Sequence, residues 1–357
     1  MSLAERLKAE IAATGPITVA DYMSRCLFDP MDGYYAVRPA LGEDGDFITA
    51  PLVSQMFGEL IGLWAVETWT RLGAPDRVLL VEVGPGDGTL MADMLRAVRL
   101  SPAFVAAAEV WLVEASEPLK ARQRGRLAGG PLEPRWATEL RDLPEGLPIV
   151  LVANELLDCL PCRQFLRTAQ GWAERVVGID EGRLAFGLRP AGRPAGAPAD
   201  LPEGLAWEVS AAQRALGDAV GRRVAESGGV GLFIDYGRDT PGPGDTLQAL
   251  QRHRKVDPLA EPGLADLTVW ADFPGFLEAA RGAGAATGPI LSQGAFLRAL
   301  GIEHRAAALA GARPEQADKL ARQLARLVEP DQMGSLFKAC AVWSPGSTAP
   351  PAFEETA

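Results

Sequence analysis

The stretch from Val78 to Leu90 constrains what this chain can fold into more than any other. Val78, Leu79, Leu80, Val81 and Val83 form an apolar, β-branched run, the pattern of a strand buried on both faces of a parallel sheet. Gly84, Gly86 and Gly88 follow at alternate positions. Leu90, Met91, Met94, Leu95 and Val98 then recur at helical spacing, with Asp87 or Thr89 available as the cap. Strand, glycine turn and helix in this order open a nucleotide-binding α/β fold. Glycine there lets the backbone turn tightly and approach a ligand without a side chain in the way.

The glycine spacing narrows the ligand. A dinucleotide fingerprint needs G-x-G-x-x-G, with a pyrophosphate on the helix N-terminus. Thr89 stands where that third glycine would be, and the pattern present is acidic-x-G-x-G-x-G from Glu82. Carboxylates at Glu82 and Asp87 would repel a pyrophosphate and suit a cation. The turn resembles the first motif of class I S-adenosylmethionine (SAM) methyltransferases, whose cofactor carries an ammonium and a sulfonium.

A chain of 357 residues, 48% apolar, has material for a full core and an accessory part. Its net charge of −11 argues against a nucleic-acid partner, which needs clustered Lys and Arg, and is compatible with a basic peptide. No apolar run reaches the length of a membrane span, and the N-terminus does not read as a signal peptide. Four cysteines suggest a reducing compartment, so a cytoplasmic location is expected. A homodimer is compatible with all of this.

Along the chain, Ser2 and Glu5 form a capping-box pattern ahead of a helix carrying Leu3, Leu7 and Ile11. The turn-rich segment Gly45–Pro51 is a candidate lid over the cofactor. Val110–Glu114 reads as a second buried strand. Glu114 at its end is placed to accept both ribose hydroxyls of an adenosine. A short strand is expected near Pro134–Trp136, and a clear one over Pro148–Ala153. Asn154, Glu155 and Asp158 follow at the edge where open α/β sheets bind ligands. Glu155 and Asp158 are expected on one face of a helical turn, where a guanidinium or ammonium would relieve their repulsion. Helix capping is the alternative role for Asn154 and Glu155. Cys159 and Cys162 have redox spacing without a redox context and read as packing; no metal site is expected.

Residues 172–188 read as a hairpin turning at Asp180–Gly182. Arg189–Pro202 reads as a flexible loop, and a helix over about Ser210–Glu226 precedes a fifth strand, Val230–Gly237, that carries Asp235 and Tyr236 to the crevice. Leu336–Trp343 is a last strand. The implied domains are an N-terminal helical extension (1–60), a main domain (61–343) with an insertion at 162–227, and a disordered proline-containing tail (344–357).

Several segments together resemble the MidA-like proteins, relatives of the mitochondrial complex I assembly-factor protein arginine methyltransferase. They are Phe28-Asp29-Pro30 with Gly33-Tyr34-Tyr35, Gly45-Asp46-Phe47 with Thr49-Ala50-Pro51, and the glycine motif. Glu114, Asn154-Glu155 with Asp158, Leu160-Pro161, Asp235-Tyr236-Gly237, His253, Gly263, Asp266-Leu267-Thr268, Asp272-Phe273 and Gln293-Gly294 complete the match. Cys159, Cys162 and Trp270 depart from it. The resemblance implies a Rossmann-like sheet and SAM as cofactor. It also implies methylation of arginine in a subunit of NADH:quinone oxidoreductase, supporting assembly of that complex. Candidate cofactor-binding residues are Thr49, Glu82, Gly84, Gly86, Asp87, Gly88, Glu114 and Asn154. Candidate catalytic residues are Glu155 and Asp158, which would orient a guanidinium, and His253, which would relay a proton. Methyl transfer to another acceptor, such as a small molecule, and a non-catalytic assembly chaperone remain the alternatives.

Overall fold

The computed structural model describes residues 1–37 and 49–354. Its centre is a sheet whose parallel strands are β1 (Val78–Val83), β2 (Ala108–Val113), β3 (Arg135–Ala137), β4 (Ile149–Asn154) and β5 (Gly229–Arg238). In space they run β5-β4-β1-β2-β3, and β6 (Phe337–Trp343) lies antiparallel beside β5. Every residue of β1 is buried. Leu80, Val150 and Leu232 face one core and Leu79, Val81 and Leu151 the other, so alternate side chains feed opposite layers. Helices α1 (Gln55–Arg71) and α2 (Thr89–Val98) cover the first face, and α3 (Glu117–Leu127) follows β2. Helices α4 (Ala211–Ser227) and α5 (Phe273–Gly282) cover the second. This is the doubly wound arrangement the glycine motif implies.

The N-terminal segment and the insertion form one unit. Strand Ile17–Thr18 pairs with Gly171–Asp180, extending a sheet that also holds Arg163–Thr168, Arg183–Ala191 and Ala206–Val209. Leu7, Tyr22 and Met23 share a core with Val177, Leu267, Cys159 and Cys162. A boundary at residue 60 would cut α1, which belongs to the main core. Helix α4, placed with the insertion by sequence, is likewise a layer of the main sheet.

Two segments expected to be loose are packed. Ala197 and Leu201 bury against Trp207, so the apolar residues of that proline- and glycine-rich loop have a surface to cover. After β6 the chain folds back on the core: Phe353 is buried and Trp64 Nε1 donates to Pro351 O at 3.1 Å. Proline there shapes turns that dock the tail rather than freeing it; residues 355–357 lie outside the described ones. The expected hairpin turns at Glu181 and Gly182, both at positive φ. No helix of the described residues is long and apolar enough to cross a membrane.

Candidate active site

Gly84, Gly86 and Gly88 have φ of 67°, 53° and 85°. A Cβ in this left-handed region crowds the following carbonyl at a cost of roughly 1–2 kcal/mol per residue, so three such positions in one turn favour glycine. Gly84 N–H donates to Val113 O at 3.1 Å, which seats the turn against the end of β2. Asp87 accepts from Thr89 N (3.0 Å) and Thr89 Oγ1 (2.7 Å) at the start of α2, and from Arg126 at 2.8 Å. Both of its oxygens are thus engaged in holding the turn. Gly88 is the N-cap position of α2.

A cleft opens beside this turn, lined by Thr49, Glu82, Gly84, Gly86, Asp87, Asn154 and Glu155. Six of the eight candidate cofactor residues therefore meet at one surface. Gly45–Ile48, most of the candidate lid, lies outside the described residues; Thr49, Pro51 and Leu52 stand at the rim. Glu82 Oε2 and Asn154 Oδ1 are buried acceptors with no hydrogen-bond partner among the described residues. Leaving such an atom unpaired costs about 1–3 kcal/mol, so the cleft calls for a ligand that brings donors. Burial, then the neighbouring Asp87, pushes the Glu82 carboxyl well above its ordinary range. An ammonium supplies both the donors and the positive charge. SAM therefore fits the cleft: Glu82 and Asn154 would hold its amino group, while Gly88 and Glu114 are not among the lining residues and Glu114, at the end of the adjacent β2, would reach its ribose. When bound, the cofactor supplies an electrophilic methyl on a sulfonium.

Glu114 stands at the end of β2. Its Oε1 accepts from Ser116 N at 2.8 Å and its Oε2 from Gln123 Nε2 at 3.3 Å. Burial raises its pKa. Sequence reasoning missed Gln123, which is fully buried and also donates to Gly86 O. A glutamine in the middle of a charged helix such as α3 carries no motif.

The acidic residues after β4 come together, but not on a helix. Glu155 takes a φ of +51° at the strand end, and the following residues form an irregular turn. Asp235 Oδ2 accepts from Leu157 N (2.8 Å) and Asp158 N (3.1 Å), while its Oδ1 accepts from Tyr236 N (2.8 Å). These bonds pin the irregular turn to β5. Glu155 Oε1 accepts from Asn154 Nδ2 (3.1 Å) and from Ala50 N (2.9 Å), the first N–H of the short helix Ala50–Val53, so Glu155 serves the start of that helix and not of one in its own segment. Asp266 accepts from Tyr35 Oη at 2.8 Å. Burial, opposed by the Ala50 N–H and reinforced by Asp158, pushes the Glu155 carboxyl up to about 8. Burial likewise pushes Asp158 up to about 6 and Asp235 well above its ordinary range.

His253 is not part of this group. It sits at φ +60° on the exposed tip of the hairpin between Gln248–Gln251 and Arg254–Val256. Cys159 and Cys162 are buried, free and pushed well above the ordinary thiol range by burial, consistent with packing. Among the described residues no group of His, Cys, Asp and Glu could hold a metal.

Fold and cleft together define a SAM-dependent methyltransferase. Residues 60–290 match the model of a family described as "Putative S-adenosyl-L-methionine-dependent methyltransferase", and the chain belongs to that family. It is 37% identical to the mouse (Mus musculus) protein arginine methyltransferase NDUFAF7, mitochondrial, over 93% of this chain and 82% of the relative. The human (Homo sapiens) counterpart is 36% identical over 93% of this chain and 81% of its own length. A crystal structure of a Burkholderia thailandensis protein bound to S-adenosyl-homocysteine is 32% identical. It superposes with a TM-score of 0.86, covering 99% of this chain and 94% of that one.

Proposed function

We propose that this methyltransferase transfers the methyl group of SAM to an arginine side chain of a protein, with Glu155 and Asp158 receiving the guanidinium. One observation carries the reading. Glu155 lines the cofactor cleft and at the same time belongs to the buried acidic group, where the charges acting on it, Asp158 and Asp266, are negative. A cation entering beside the cofactor would relieve that repulsion. Guanidinium stays protonated in proteins, so it needs carboxylates to orient one nitrogen toward the methyl. Guanidinium and sulfonium enter the reaction; a methylated guanidinium, a thioether and one proton leave it, the proton passing to the carboxylate group. The relatives named protein arginine methyltransferase support the same acceptor.

The resemblance to MidA-like proteins extends the proposal to a subunit of NADH:quinone oxidoreductase as the target, methylated in the cytoplasm of the cell. The test incubates the protein with methyl-labelled SAM and the separated subunits of that complex, then maps the label. Label on arginine of one subunit is the expected result. Label on another residue type or only on small molecules would overturn the arginine assignment, and no transfer to any acceptor would overturn the enzymatic reading of the acidic group.

A further inference from the structure

Helix α3 touches the cofactor site at three levels. Its cap residue Ser116 gives its N–H to Glu114, and Arg126 in its last turn holds Asp87. Between them stands Gln123, wholly inaccessible, with every polar atom of its amide used. Nε2 donates to Gly86 O at 2.7 Å and to Glu114 Oε2 at 3.3 Å, and Oε1 accepts from Trp136 Nε1 at 2.8 Å. The glycine turn lies at the end of β1 and the ribose carboxylate at the end of β2. One amide therefore ties together two anchors that different strands carry.

We infer that Gln123 is a positioning residue for the cofactor, orienting Glu114 toward the ribose hydroxyls and fixing its separation from the glycine turn. The chemistry explains the residue type. The position needs a donor facing a carbonyl and a carboxylate, and an acceptor facing an indole, with no net charge. Glutamate would set a second carboxylate against Glu114, and methionine would leave the indole and the Gly86 carbonyl unpaired.

The test measures binding by calorimetry, with S-adenosylhomocysteine and its 2′,3′-dideoxy analogue as probes, for the parent, Gln123→Met and Gln123→Glu. The parent prefers the probe that keeps its ribose hydroxyls. In Gln123→Met that preference shrinks about tenfold, because a Glu114 no longer oriented gains less from the hydroxyls. Equal loss for both probes, or no loss, would overturn the inference. Gln123→Glu keeps the size of the side chain and covers the case in which methionine prevents folding. Its introduced carboxyl can donate only when protonated, so its affinity relative to the parent recovers as the pH is lowered. A ratio that does not change with pH would also overturn the inference.

Discussion

The two halves of the active site are built in different ways. The cofactor half is local: one strand, one glycine turn and one strand end supply Glu82, Gly84, Gly86 and Glu114. It presents unpaired acceptors that suit a ligand with donors. The proposed acceptor half gathers Tyr35, Ala50, Glu155, Asp158, Asp235 and Asp266 from five separated segments, and Glu155, Asp235 and Asp266 already accept hydrogen bonds from the protein. What it has in excess is carboxyl groups out of water, whose ionisation burial and their neighbours oppose and a cation would favour. On this proposal the first half selects by unmet hydrogen bonding and the second by carboxyls that a cation would ionise, so substitutions should separate them.

The largest effect is expected at the turn. Gly86→Val places a branched residue at φ +53° beside the cleft, and calorimetry should find no measurable binding of SAM or S-adenosylhomocysteine. Retained binding would break the assignment of the cofactor half. The next effect is at Asp235, whose carboxyl is engaged by the main-chain N–H groups of Leu157, Asp158 and Tyr236. Asp235→Asn turns a donor toward main-chain N–H groups that now find an acceptor, loosening the turn that carries Asp158. Misplacement of about an ångström in a transfer site costs on the order of 100-fold, so methyl transfer should fall by about that much. Cofactor affinity should stay within about threefold, since the glycine turn is untouched. Loss of both together would merge the two halves.

That difference in construction also decides what could be read from the sequence. The strands, the glycine turn, the capping box at Ser2 and the hairpin were legible because each is written in adjacent residues. Glu82 was placed by its strand and lines the cleft, whereas Glu114, at the end of β2, is not among the lining residues. Glu155 and Asp158 were legible as residues but not in their geometry. The bonds to Asp235 that pin the irregular turn there reach the far end of β5. Gln123 escaped notice because its partners meet only in the folded molecule. The pairing of Ile17 with Val177 was hidden in the same way, by a long separation along the chain.

Smaller effects concern stability. Glu155 and Asp158 hold their protons more tightly in the folded chain than unfolded, where carboxyls titrate near 4.5 and 3.8. Their contribution is present in full below those values and is lost as the pH rises through about 6 and about 8. Melting temperature should therefore decline over this window without substrate. Glu155→Gln should flatten the decline and melt a few degrees higher at the alkaline end. An unchanged slope would mean that Glu155 is not held in its protonated form. The smallest effect is expected for Cys159→Ala with Cys162→Val. Both thiols are buried and unreactive, so turnover should stay within about threefold of the parent.

The most direct test of two separable halves is Glu155→Gln, studied in one preparation by calorimetry and by single-turnover methylation of an arginine-bearing protein substrate. The variant keeps the size and the acceptor for Ala50 N–H, and it cannot take on the negative charge that an arriving guanidinium would draw out of the Glu155 carboxyl. A charge-assisted hydrogen bond is roughly twice as strong as a neutral one, so transfer should fall at least about tenfold, with SAM affinity changed by less than about threefold. Transfer at the parent rate would remove Glu155 from the acceptor half, and a matching loss of SAM affinity would place it in the cofactor half instead.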